Sequence, residues 1–148
     1  MKVLTTCALG VAFGLAAFAE EAKVNVQDLP AAVQTAVKAQ TNGATILGAS
    51  KEREHGLMTY EVETKLDGKG RDLTFDENGS LLEVEQEVNL DSIPRPAREA
   101  IQKKVAGRTI KKVESVTRGS RTGYEADVKT PDGGNQEVAV NADGSAHK

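Results

Sequence analysis

Leu29-Pro30-Ala31-Ala32-Val33-Gln34-Thr35-Ala36-Val37 is answered 64 residues later by Ile93-Pro94-Arg95-Pro96-Ala97-Arg98-Glu99-Ala100-Ile101, and the rest of the chain falls into step with this pair. The same offset lays Gly43 on Gly107, Thr45-Ile46 on Thr109-Ile110, Tyr60-Glu61 on Tyr124-Glu125 and Lys65 on Lys129. One inserted residue near Pro131 moves the offset to 65, and Asp67-Gly68 then meets Asp132-Gly133, and Gly79-Ser80 meets Gly144-Ser145. Chance does not keep turn glycines in step with apolar positions, so the chain reads as one pattern written twice.

Each copy opens as a helix. Asp28 and Ser92 are good N-cap residues, and Pro30 and Pro94 suit a first turn whose N–H groups have no partners in the helix. Leu29, Val33, Ala36 and Val37, and then Ile93, Ala97, Ala100 and Ile101, recur at helical spacing and give each helix one apolar stripe. Gly43 and Gly107 are placed to stop the helices in left-handed conformation.

Beyond each helix the period becomes two. In Thr59-Tyr60-Glu61-Val62-Glu63-Thr64 the apolar residues alternate with acids, and Tyr124-Glu125-Ala126-Asp127-Val128 repeats the alternation. Leu73, Phe75, Val138 and Val140 are expected on the tyrosines' side. His55-Gly56, Asp67-Gly68, Asn78-Gly79, Asp132-Gly133 and Asp143-Gly144 are the hairpin turns. A last strand, Leu81 to Val88, sets Leu82, Val84 and Val88 against Glu83, Glu85 and Glu87; the second copy ends too soon to match it. The expected fold is α+β: two tandem repeats, residues 20–89 and 90–148, each one helix packed on a three- to four-stranded antiparallel sheet. Units of this size are marginal alone and should pack together.

The residues that carry this pattern also carry a likeness. Leu29-Pro30 with its alanine-rich helix, Gly43, Ile46, Tyr60-Glu61-Val62 and Phe75-Asp76-Glu77-Asn78-Gly79-Ser80-Leu81 resemble the PepSY-like repeat of bacterial exported proteins, and Ile93 to Ser145 resembles a second, more divergent copy. The resemblance implies a fold similar to the beta-lactamase-inhibitor proteins, in which two helix-plus-sheet repeats form a concave sheet that grips a partner.

Residues 1–19 read as a secretory signal peptide: Met1-Lys2 is positive, Val3 to Phe18 is largely apolar, and Ala17-Phe18-Ala19 is a small-x-small cleavage site. The expected location is therefore the periplasm or the extracellular space, with no stable membrane insertion once the leader is gone. Cys7 is the one cysteine of the chain and lies in that leader, so no disulfide framework or thiolate metal site is expected in the exported product. A formal net charge of -3 argues against a generic nucleic-acid binder.

Catalytic chemistry finds little support in the composition. A nucleophilic triad needs a base, and the two histidines are His55, in an expected turn, and His147, next to last, neither of which is expected to be held in one geometry. No enzyme activity, metal site or cofactor is expected. The oxygen donors of Asp76-Glu77-Asn78-Gly79 lack the remainder of a calcium loop and read as a turn, as does Asp67-Gly68-Lys69-Gly70.

Charge is distributed unevenly. Residues 20–89 hold 7 Lys/Arg against 14 Asp/Glu, net -7, whereas residues 90–148 hold 11 against 8, net +3. Strand parity sends Glu61, Glu63, Glu83, Glu85 and Glu87, with Glu125 and Asp127 of the second copy, to an exposed acidic row away from the helices. These seven are the candidate contacts for a protein or peptide partner in the bacterial envelope. The function expected is a non-catalytic exported binding module that regulates or inhibits an envelope or secreted protein such as a protease; the alternative is a low-affinity cation or small-ligand binder using the same carboxylates.

Overall fold

The computed structural model describes residues 21–54 and 56–147. The leader and His55 lie outside the described residues. Eight strands form one antiparallel sheet in sequence order: β1 (Ala22–Val24), β2 (Thr45–Glu54), β3 (Leu57–Leu66), β4 (Lys69–Asp76), β5 (Leu81–Glu87), β6 (Ile110–Arg118), β7 (Arg121–Lys129) and β8 (Asn135–Asn141). Helix α1 (Ala31–Gln40) precedes β2, and α2 (Arg95–Val105) precedes β6. Among the described residues, no helix is long and apolar enough to cross a membrane.

This architecture corrects the expectation of two repeats, each with its own small sheet. Strand β5 pairs with β4 on one side and with β6 on the other, so the ladder runs unbroken from β1 to β8. The physical reason is the cost of an edge: two separate sheets would leave rows of N–H and C=O groups unpaired where β5 now meets β6.

Both helices lie on one face of this sheet. Leu29, Val33 and Val37 pack with Ala49, Val62, Leu73 and Phe75, and Ile93, Ala97, Ile101 and Val105 pack with Val113, Ala126, Val128, Val138 and Val140. Tyr60 borders the first of these clusters and Tyr124 the second. The alternation seen in the sequence explains the sorting, because Tyr60 opposes Phe75 and Val62 opposes Leu73 across β3 and β4, on the helix side.

The helix ends differ in detail from the sequence reading. Pro30 and Pro94 are themselves the N-caps, while Asp28 and Ser92 sit in single 3-10 turns at Val26–Asp28 and Leu90–Ser92. A residue before proline is pushed into extended geometry, and Leu29 (ψ 153°) and Ile93 (ψ 160°) comply, which separates the polar residues from the helices they were expected to cap. At the other ends the C-caps are Thr41 and Ala106. Arginines finish the job: Arg71 Nη1 donates to the Gln40 carbonyl (2.8 Å), and Arg108 donates to those of Val105 (2.8 Å) and Lys104 (2.9 Å), where a cation also suits the helix dipole.

Turn glycines fix how hairpins meet helices. Gly79, after β4, has φ +80°, and a Cβ there would come within 2.6 Å of the Ala32 carbonyl oxygen; Gly144, after β8, has φ +82° and would meet the Pro96 carbonyl oxygen at 2.6 Å. Each turn therefore abuts the first turn of a helix. Asp76, expected in a turn, accepts backbone N–H bonds from Asn78 (2.9 Å) and Ser80 (2.8 Å) within the β4–β5 hairpin. Leu82, expected on the buried side, is 41% exposed because a β-bulge shifts the register between Thr74 and Phe75.

Candidate functional site

With both helices on one face, the other face of the sheet is lined by the side chains that alternate with the core. Cross-strand register brings the acids into rows. Glu63 opposes Asp72, and Asp72 opposes Glu85. Glu87 opposes Glu114, and Glu114 opposes Glu125. Asp127 lies between Lys112 and Glu137, and Glu61 opposes Thr74, which in turn opposes Glu83. All seven acids singled out from the sequence thus occupy this face, joined by Asp72, Glu114 and Glu137.

They are not uniformly exposed as expected. Glu63 is open to solvent, Glu83 is buried, and Glu61, Glu85, Glu87, Glu125 and Asp127 are half-buried among their neighbours. Like charges in direct opposition repel. Two cations from β6 offset part of the repulsion: Lys112 Nζ lies 2.9 Å from Glu114 Oε2 and 3.8 Å from Asp127 Oδ2, and Arg118 is ion-paired with Glu83. Glu87 accepts the N–H of Gly70 at 3.1 Å.

Burial, with the remaining repulsion behind it, raises the proton affinity of several of these acids. Burial, followed by a hydrogen bond with Glu83 and the charges of Glu83, Glu114 and Glu125, pushes the Glu85 carboxyl up to about 9. Burial and the charge of Asp72 raise Glu61 to about 7, burial and Glu137 raise Glu125 to about 7, and burial and Glu114 raise Asp72 to about 6. Glu137 is also raised, by burial and Asp127.

Among the described residues, Asp72, Glu85 and Glu114 each bring a carboxylate oxygen within 4.8 Å of the other two. Oxygen donors so close could suit a cation. Here the protein supplies one of its own, since the Lys112 ammonium already sits against Glu114, and the group is therefore not read as a metal centre.

His147 is held more firmly than its place in the sequence led us to expect. Its Nδ1 is 3.1 Å from Asn141 Oδ1 and its Nε2 is 3.3 Å from Arg118 Nη1, and the ring lies against Gly123, where a Cβ would approach Nδ1 to 3.1 Å. The parity that placed Glu61 and Glu85 could also have placed Asp72, between the helix-facing Arg71 and Leu73, and Glu114, beside Val113. The pairing of Arg118 with Glu83 left no local signal.

A model of the family described as "Putative beta-lactamase-inhibitor-like, PepSY-like" matches residues 18–83 and 60–147. The chain belongs to the PepSY-like family. No curated protein matches it. Among solved structures, this PepSY-like chain is similar to one from Bacteroides eggerthii described as "putative periplasmic proteins", with a TM-score of 0.66 and 15% identity over 81% of this chain and 86% of that one. It is similar to a DUF2874 family protein of Bacteroides uniformis, with a TM-score of 0.64 and 16% identity over 80% and 86%. A third, a BLIP-like protein of Bacteroides fragilis, gives 0.58 and 21% over 79% and 82%. At identities this low, TM-scores of 0.58 to 0.66 show a shared fold alone.

Proposed function

We propose that this PepSY-like protein is an exported, non-catalytic module that holds a basic segment of a protein or peptide against the acidic face of its sheet. The observation that carries the reading is the division of labour between the faces: both helices cover one, and the other gathers carboxylates from β3 to β8 with Lys112 and Arg118 as their paired cations. A surface of one sign, partly desolvated, favours a partner of the other sign and gives it specificity and a fast approach. The leader-like residues 1–19 support export, and the likeness to a structure described as periplasmic agrees with it. Likeness to a BLIP-like protein supports capture of a protein, and regulation or inhibition of an envelope protease is the finer form of the same reading.

Fluorescence anisotropy with lysine- and arginine-rich peptides, and glutamate-rich peptides as controls, tests this. The expected result is salt-sensitive binding of the basic peptides alone, weakened about tenfold or more in a Glu61→Gln, Glu63→Gln, Glu125→Gln variant. Equal binding by that variant would remove the acidic face from the function. A saturating calorimetric response to calcium alone would favour the cation-binding alternative instead.

A further inference from the structure

The ladder that joins β5 to β6 is short. Four residue pairs register there, Val84 with Thr117 through Glu87 with Glu114, against eight between β3 and β4 and eight between β6 and β7. On the helix side Val84 borders the first apolar cluster, while Val88, just past β5, packs against the second, to which Val113 belongs. Contacts across this seam include the Val88 N–H donating to the Val113 carbonyl (2.9 Å), the Ser115 hydroxyl donating to the Gln86 carbonyl (3.4 Å) and the Glu83–Arg118 ion pair.

On the other face a close trio of carboxylates straddles the same junction. Asp72 and Glu85 stand on β4 and β5, Glu114 stands on β6, and their oxygens lie within 4.8 Å of one another. Glu85 is faced by Asp72 from β4, with Glu63 of β3 behind it. Its own strand adds Glu83 and Glu87. From β6 come Glu114, Lys112 and Arg118, and from β7 Glu125. The two cations are engaged, Lys112 with Glu114 and Asp127 and Arg118 with Glu83, so acids outnumber them at the junction.

We propose that the β5–β6 ladder is a proton-operated joint: Asp72 and Glu85, crowded against Glu114 across the seam, keep it closed while they hold protons and loosen it once both are ionised. The raised proton affinities of Asp72 and Glu85 place the transition between about pH 6 and about pH 9. The joint is a property of the fold and holds whatever partner the acidic face takes, but a partner spanning β3 to β8 would feel its state.

Native-state hydrogen exchange read by NMR, corrected for intrinsic rates, tests the joint in the full mature chain. Val88 reports on the seam and amides of the β2–β3 ladder serve as the reference. Raising the pH across this range is expected to lower protection at Val88 about tenfold or more relative to the reference, and a Glu85→Gln variant is expected to keep it. Seam protection that tracks the reference, or an equal loss in Glu85→Gln, would overturn the proposal. Should that variant not fold, side-chain carboxyl NMR titration of the wild type decides: upward-shifted titrations of Asp72 and Glu85 support the joint, and two ordinary ones refute it.

Discussion

Glu83 and Arg118 are ion-paired across the β5–β6 ladder, the Glu83 side chain 9% exposed and the Arg118 side chain 39%. The acid is thus far more dependent on its partner than the base is. Removing Arg118 leaves a nearly buried charge among other acids, whereas the exposed part of the guanidinium was already screened by solvent. Arg118→Ala is expected to cost about 1–2 kcal/mol in urea unfolding, and Glu83→Gln in the same background to recover part of it. An Arg118→Ala protein as stable as the wild type would show that the pair contributes nothing.

The hairpin turns make unequal demands on their glycines. Gly68 has φ +83° in open space, so Gly68→Ala costs about 1–2 kcal/mol for the left-handed backbone. Gly79 and Gly144 add a steric conflict with rigid helix carbonyls at 2.6 Å, so Gly79→Ala and Gly144→Ala should each be more destabilising than Gly68→Ala. Thermal unfolding of the three variants orders them, and equal losses would contradict the docking of these turns on α1 and α2.

How much of this was legible follows from the range of the interactions. Tyr60, Val62, Leu73 and Phe75 announced their face because strand side chains alternate, and that local rule also sent Glu61 and Glu85 to the other side. Asp28 and Ser92 misled as caps because the extended geometry forced on Leu29 and Ile93 by the following prolines outweighed capping preference. Pairing of β5 with β6 could not be read at all: Glu87 and Ile110 are separated by α2, and nothing in either strand names its neighbour. The approach of Arg118 to Glu83, and with it the burial of Glu83, depends on that pairing.

The pH dependence of stability should run opposite to that of a protein held by carboxylate salt bridges. Glu85, Glu61, Glu125 and Asp72 bind protons more tightly folded than unfolded, with values raised to about 9, 7, 7 and 6 from ordinary values of 4.5 for Glu and 3.8 for Asp. A raised group gives its full stabilisation below its unfolded value and loses it as pH rises through the folded one. Urea midpoints are therefore expected to fall steadily from about pH 5 to about pH 9, and Glu85→Gln to flatten the upper part of that decline. A midpoint that rises over this range would contradict the burial of these carboxylates.

One sheet with two apolar clusters makes a claim about cooperativity. Leu73 and Ile101 are fully buried, one in each cluster, and replacing either with Ala should cost about 2–5 kcal/mol. The chain has no tryptophan and two tyrosines, Tyr60 beside one cluster and Tyr124 beside the other, so Tyr124→Phe and Tyr60→Phe proteins report on each half separately. Because β5 and β6 share a ladder, the urea transitions of the two halves should coincide in mildly acidic buffer, where Asp72 and Glu85 hold their protons, and Leu73→Ala should lower the midpoint seen by Tyr124 as well as by Tyr60. Two separated transitions under those conditions would mean that the continuous ladder does not couple the halves.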